Sequence, residues 1–257
     1  MNFENKVVVL TGASSGIGYH LAKLLPKENC SLALLARRKE LLDQLVNELK
    51  TPNLQIKAYQ CDVGKQAEVQ NTFNEIENDF GRIDIAILNA GVSYRKDITN
   101  YSSEMANEIF TTNTLSIVYC VEQLLPEFLN RKDGMIVGVS SLAEARGFPR
   151  SGFYNASKSA ASLLLESLRI ELRRYNIKVL TVKPGFVRTP MTDKNEFQMP
   201  FLMNVEKAVK IILKGIKKEK KIIQFPLPTV IGSKVLKFMP NFLFDFLMNK
   251  QLPTRKN

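Results

Sequence analysis

Residues 7–18 read Val7-Val8-Val9-Leu10-Thr11-Gly12-Ala13-Ser14-Ser15-Gly16-Ile17-Gly18. A run of apolar β-formers ends in a glycine-rich turn, and helical spacing follows at once. A strand, such a turn and a helix together present backbone N–H groups and a helix N-terminus to a pyrophosphate. Gly12 permits the tight turn, Gly16 lets the backbone approach phosphates without a Cβ in the way, and Gly18 allows the helix to pack closely on the strand. A turn that merely needs positive φ accounts poorly for three glycines in this context.

Outward from this unit, short apolar runs recur at 6–10, 31–36, 55–60, 84–88, 134–139, 178–182 and 221–225. Their near-continuous Val/Ile/Leu content suits strands buried on both faces. Segments such as 40–50, 104–130 and 152–175 lie between them, with apolar residues three and four apart. The pattern predicts an α/β fold of the Rossmann type: a doubly wound parallel sheet of about seven strands, helices on both faces, in one domain. A length of 257 residues fits one such domain, and 45% hydrophobic with 24% charged residues argues against disorder or a coiled coil.

The net charge of +11 is unevenly placed. Residues 183–257 hold 15 Lys/Arg against 5 Asp/Glu, so the main body is nearly neutral. A nucleic-acid binder more often carries its charge on a dedicated basic face, and none is expected here. Cys30, Cys61 and Cys120 are widely spaced among apolar residues, which predicts reduced structural thiols. His20 is the only histidine, and no metal site assembles around it. The N-terminal residues lack the basic-then-apolar layout of a signal peptide, so a cytoplasmic location is expected.

The spacing Thr11-Gly12-x-x-x-Gly16-Ile17-Gly18 resembles the signature of the short-chain dehydrogenase/reductase family. Other marks of that family fall in order: Cys61-Asp62-Val63, Asn89-Ala90-Gly91, Asn113, Ser141, Tyr154 with Lys158, and Pro184-Gly185. The resemblance spans roughly residues 3–190 and extends more weakly to about 225. Departures are Leu88, where the family often has Asn, and Ser116 and Glu144, where it often has Gly. The resemblance implies a nicotinamide cofactor held by the turn residues Gly12, Ser14, Ser15, Gly16, Ile17 and Gly18 and by Ala90 and Gly91. Asp62 would hydrogen-bond the adenine, and Asn89 would stabilise the central sheet. Pro184 and Gly185 would lie beside the nicotinamide, with Val187 meeting its carboxamide and Thr189 its amide or the phosphates. Dimers or tetramers are likewise implied.

The second strand continues into Arg37-Arg38, where NAD-binding units place an acidic residue for the adenosine ribose. A guanidinium suits a 2′-phosphate, which makes NADP(H) the expected cofactor. In similar family members the first arginine grips that phosphate, so Arg37 takes the role with Arg38 as a secondary contact. The competing reading is two solvated arginines opening a helix.

Tyr154 and Lys158 are one helical turn apart, so phenol and ammonium can face one site. A free tyrosine has a pKa of about 10, and a neighbouring ammonium is expected to lower it. That would make Tyr154 a general acid or base. Ser141 follows the apolar strand at the edge where open α/β sheets bind ligands, and by resemblance it, rather than Ser140, holds the substrate oxygen. Asn113 would help retain a water that links the lysine to solvent, and Lys158 would also bind the nicotinamide ribose. Glu144 is expected as an exposed loop carboxylate, with substrate contact as the alternative.

The stretch 190–203 is rich in Met and Phe, residues suited either to an adaptable apolar pocket or to core packing. An apolar ketone, aldehyde or alcohol is the expected substrate. Residues 234–248 are too interrupted to span a bilayer. They would instead contact an anionic membrane peripherally, cover the pocket, or form a subunit interface. Rival readings are a noncatalytic NADP(H)-binding sensor or scaffold, and an epimerase or dehydratase, although those relatives are generally longer.

Overall fold

The computed structural model describes residues 2–195 and 197–249; Met1, Glu196 within the Met/Phe stretch and the basic C-terminal residues 250–257 lie outside it. The glycine-rich segment forms strand β1 (Val7–Thr11), a turn and helix α1 (Gly16–Leu24). Strand β2 (Ser31–Ala36), α2 (Lys39–Leu49), β3 (Ile56–Gln60), α3 (Gln66–Phe80) and β4 (Ile85–Leu88) follow. The chain continues through α4 (Ser103–Phe110), α5 (Ser116–Arg131), β5 (Gly134–Val139), α6 (Gly152–Glu171) and β6 (Ile177–Pro184). It ends in α7 (Val205–Lys217), β7 (Ile222–Phe225), α8 (Leu227–Phe238) and α9 (Asn241–Asn249).

All seven strands lie parallel in one sheet of order β3-β2-β1-β4-β5-β6-β7. Alternation along each strand sends successive side chains to opposite faces. Val8 and Leu10 join a core with Leu21 of α1, Leu42 of α2 and Ile212 of α7. Val9 joins a second core with Phe73 of α3, Cys120 of α5 and Leu165 of α6. The doubly wound sheet expected from the hydrophobic runs is therefore present, with ends displaced by one or two residues. Because the order reverses between β1 and β4, the C-terminal ends of those strands diverge into a crevice, where such sheets bind ligands.

The three cysteines are buried free thiols. Desolvation pushes Cys30 up to about 12 and Cys61 up to about 11.

The helical spacing over 104–130 predicts one uninterrupted helix, but the structure contains a π-helical turn at Thr111–Leu115 between α4 and α5. The apolar pattern runs through this turn unbroken, so hydrophobic periodicity does not reveal it. Asn113 sits within it. A wide turn of this kind changes which way side chains point, and such turns concentrate at functional sites.

Candidate active site

The crevice at the β1/β4 switch is a cavity of about 160 Å³ lined by the glycine turn, the segments after β4, β5 and β6, and Tyr154 and Lys158 of α6. Gly12 has φ +69°, and a Cβ there would stand 2.9 Å from the Ala90 Cα. A Cβ at Gly18 would lie 2.2 Å from the Gly12 carbonyl oxygen. These two positions let α1 start directly under β1 and against the end of β4. Ser15, Gly16 and Ile17 face the cavity, as do Asn89, Ala90 and Gly91. Thr11 ties the two strand ends together, its hydroxyl accepting from the Asn89 N–H at 3.0 Å and the Ala90 N–H at 3.1 Å. The Asn89 amide donates back to the Thr11 carbonyl at 3.0 Å, linking the end of β4 to the end of β1.

Arg38 donates to the Ser14 hydroxyl at 3.0 Å, which brings its guanidinium to the phosphate turn. Arg37 lies 3.9 Å from the Glu108 carboxylate. Asp62 sits beyond the end of β3, accepting from the Gly64 N–H at 3.0 Å, and is not part of the cavity wall. Across the cavity stand Pro184, Gly185, Val187 and Thr189. A Cβ on Gly16, whose φ is +56°, would come within 3.4 Å of the Thr189 side chain. A side chain there would narrow the channel between turn and far wall, so the residues fit an extended dinucleotide passing between them.

Lys158 is 4% exposed, and its ammonium donates to the Val139 carbonyl at 2.9 Å. It stands 5.9 Å from the Tyr154 ring centroid. Desolvation lowers its pKa to about 8, with the Glu144 charge opposing that fall. The sequence reading expects the ammonium to lower the phenol of Tyr154, but the structure gives the opposite direction. Burial raises the phenol, and its hydrogen bond with the Ser141 hydroxyl offsets this only in part. Lys158 spends a donor on Val139 and does not hydrogen-bond the phenol directly.

The two serines are cleanly separated. Ser140 Oγ is 2.9 Å from both the Glu144 carboxylate and the Lys158 carbonyl oxygen, two acceptors that share its single proton. Ser141 Oγ accepts from the Ala143 N–H at 3.1 Å and hydrogen-bonds the Tyr154 phenol, with a long 3.4 Å contact to the Pro184 carbonyl. Ser141 is thus the hydroxyl that reaches the phenol, whereas Ser140 is held by Glu144 and the Lys158 carbonyl. Asn113 is 1% exposed; its amide accepts from the Val92 N–H at 2.8 Å and donates to the Val92 carbonyl at 2.9 Å and Ser157 at 3.0 Å. Its side chain therefore pins the segment after β4 to α6.

Glu144 differs from both sequence expectations. It lies on a short 3-10 turn, Leu142–Ala145, where its carboxylate pairs with Lys183 of β6 and accepts from Ser140 and Ser162. It is neither a solvated loop carboxylate nor a wall of the cavity. Sequence reasoning missed this pair because the partners are 39 positions apart on different elements. It also missed Arg146, whose guanidinium bonds the end of α8 and the start of α9.

The Met/Phe stretch divides between its two expected roles. Met203 is buried and bridges to Val187, whereas Met191 lines the cavity mouth. Phe197 packs edge-on against Phe186 at 5.7 Å beneath the Arg95 guanidinium, 4.0 Å above its ring.

Residues 6–199 match the family model described as short chain dehydrogenase. A Myxococcus xanthus protein named uncharacterized oxidoreductase is 33% identical over 240 residues, covering 93% of this chain and 95% of its own. An Aedes aegypti farnesol dehydrogenase is 35% identical over 194 residues, covering 73% and 79%. Among solved structures, a Sphingobium yanoikuyae short-chain dehydrogenase in complex with NADPH superposes with TM-score 0.81 at 25% identity, over 98% of both chains. A Burkholderia phymatum short-chain dehydrogenase/reductase in complex with NAD reaches 0.84 at 22% identity, over 100% of this chain and 99% of its own. With the parallel sheet, the crevice and the family match in agreement, the chain belongs to the short-chain dehydrogenase family.

Proposed function

We propose that this protein is an NADP(H)-dependent oxidoreductase that interconverts an apolar ketone or aldehyde and the corresponding alcohol. The observation that carries the reading is the convergence of Ser141, Tyr154 and Lys158 on the cavity that also holds the glycine turn. When bound, the nicotinamide exchanges a hydride with the carbonyl carbon.

Ser141 holds the carbonyl oxygen, and Tyr154 gives that oxygen its proton as alkoxide character develops. A phenol raised by burial is uncharged at neutral pH, the state a proton donor needs. Lys158 would hold the ribose of the cofactor and supplies the positive charge beside the phenol, 5.9 Å from its ring centroid. In oxidation the same groups run in reverse. Asn113 acts through Val92 and Ser157, keeping the wall beside Lys158 in place.

The preference for NADP(H) rests on Arg37 and Arg38, which directly follow β2 where an NAD-binding unit would place an acidic residue. Solved relatives hold both NAD and NADPH, so this chain's own residues carry the argument. The apolar substrate rests on Met191 and Val187 in the cavity lining, and farnesol dehydrogenase is a relative with a substrate of that kind. Self-association is supported by Leu163 and Ile170, exposed on α6.

The test is NADPH oxidation with apolar ketones and aldehydes of increasing chain length, beside Tyr154→Phe. Turnover that vanishes in the variant while NADPH affinity stays within about twofold supports the assignment. Near-normal turnover in Tyr154→Phe sinks it. Tight NADPH binding without turnover on any carbonyl would shift the reading to a cofactor-binding sensor.

A further inference from the structure

We propose that the outer face of α8, continued by the start of α9, docks the protein on the surface of an anionic lipid bilayer. Leu227, Ile231, Val235 and Phe238 recur at four-, four- and three-residue steps, so they form one stripe along α8. All four are exposed, Leu227 at 69% and Phe238 at 82%, and Phe242 at the start of α9 is 77% exposed. Lys234 and Lys237 are exposed on the same helix. An apolar stripe with cations on its helix is the pattern of a helix lying in the headgroup region, the lysine stems reaching back to the phosphates.

The stripe is not exposed because the helix is loosely held. Val230 is buried against the body. The Arg146 guanidinium donates to the carbonyls of Leu236 at 3.3 Å and Met239 at 2.8 Å and to the Asn241 side chain at 3.1 Å. It also stacks 4.1 Å over Phe244. Both helices are thereby locked to the loop that carries Ser141, with the apolar stripe pointing away. Among the described residues no helix is long and apolar enough to cross a membrane, so the contact is with one surface.

Charge selects the occupant. Among the described residues of α8 and α9, the exposed cations Lys234 and Lys237 stand against the single acid Asp245. A second copy of this chain seated on the face about a two-fold axis would bring like charges together, whereas anionic headgroups complement them. The first turn of α8 also packs against Gly185 of the cavity wall, since a Cβ on Gly185 would lie 3.0 Å from Thr229. A docked molecule thus holds its cavity wall near the source of an apolar substrate.

Flotation of the full chain with lipid vesicles tests the proposal independently of any turnover. Vesicles of three parts phosphatidylcholine to one part phosphatidylserine should carry the protein upward, with about tenfold weaker partitioning into phosphatidylcholine alone and in high salt. Ile231→Asp with Phe238→Asp, and separately Lys234→Glu with Lys237→Glu, should each cut partitioning by about tenfold. These are surface changes, and an unchanged melting temperature and circular dichroism spectrum certify the fold. Absence of flotation by the unaltered protein overturns the proposal, as does flotation that neither pair reduces. A light-scattering mass that halves in the Ile231/Phe238 variant, with no flotation of the parent, overturns it in favour of a contact between copies.

Discussion

The carboxylate of Glu144 and the ammonium of Lys183 form an ion pair behind the two adjacent serines at the end of β5. Both side chains are largely buried, at 18% and 15% exposure, and the same carboxylate receives Ser140 and Ser162. The pair clips the catalytic loop to β6 on one side and to α6 on the other. Its charge also opposes the desolvation of Lys158.

Glu144→Gln removes one charge and leaves Lys183 buried without its partner. Breaking a pair of this kind costs about 3 kcal/mol, so the urea midpoint should fall accordingly. Glu144→Gln combined with Lys183→Met removes both charges and should recover more than half of the loss. A double variant as unstable as the sum of the two singles would show that the groups act independently.

Arg37→Ala should weaken NADPH binding by about tenfold, the value of one charge-assisted contact to a phosphate, while changing NADH by less than twofold. Arg38→Ala should have the smaller effect on NADPH. Equal losses for the two nucleotides would refute a 2′-phosphate role. The short contact of Arg38 with Ser14 makes the comparison decisive, because a larger loss at Arg38 would exchange the two assignments. Fluorescence titration of the reduced nucleotides measures both.

Gly91 separates Asn113 from Lys158. A Cβ there would stand 3.1 Å from the Asn113 side-chain oxygen and 3.3 Å from the Lys158 ammonium, tighter than ordinary packing. Gly91→Ala should therefore push the lysine off its position and lower kcat by about tenfold or more, with melting temperature little changed because the backbone φ is ordinary. Loss of stability without loss of kcat would mean that the gap serves packing alone.

The strands and the phosphate turn were legible because they rest on local signals: continuous Val/Ile/Leu runs and glycines at fixed spacing. Tyr154 and Lys158 were legible because one helical turn sets their relation, whereas Ser140 and Ser141 both follow β5 and only the resemblance chose between them. What escaped depends on distance through space. The π-helical turn around Asn113 leaves the apolar spacing intact, so a continuous helix was the natural reading of 104–130. Glu144 and Lys183 meet only when β6 lies beside β5. The direction of the Tyr154 shift was misread because spacing shows that an ammonium is near but not how far both groups are withdrawn from water. Arg146 gave no signal, since its acceptors are backbone carbonyls some 90 residues away.

Burial lowers Lys158 from the ordinary lysine value of 10.5 to about 8, so its charge is complete below that value and lost as pH rises through it. The Tyr154 phenol is shifted the other way and stays protonated across the same range. NADPH-driven reduction needs the protonated phenol and the ammonium together. Its kcat/KM should therefore be flat toward neutral pH and fall along an alkaline limb centred near 8, which reports the lysine and not the tyrosine. Glu144→Gln removes the charge that supports the ammonium and should move the limb to lower pH. Lys158→Arg keeps a cation that does not titrate in this range, so whatever activity survives should lose the limb. A limb unmoved in both variants, or centred near 10 in the parent enzyme, would assign the titration to a group other than Lys158.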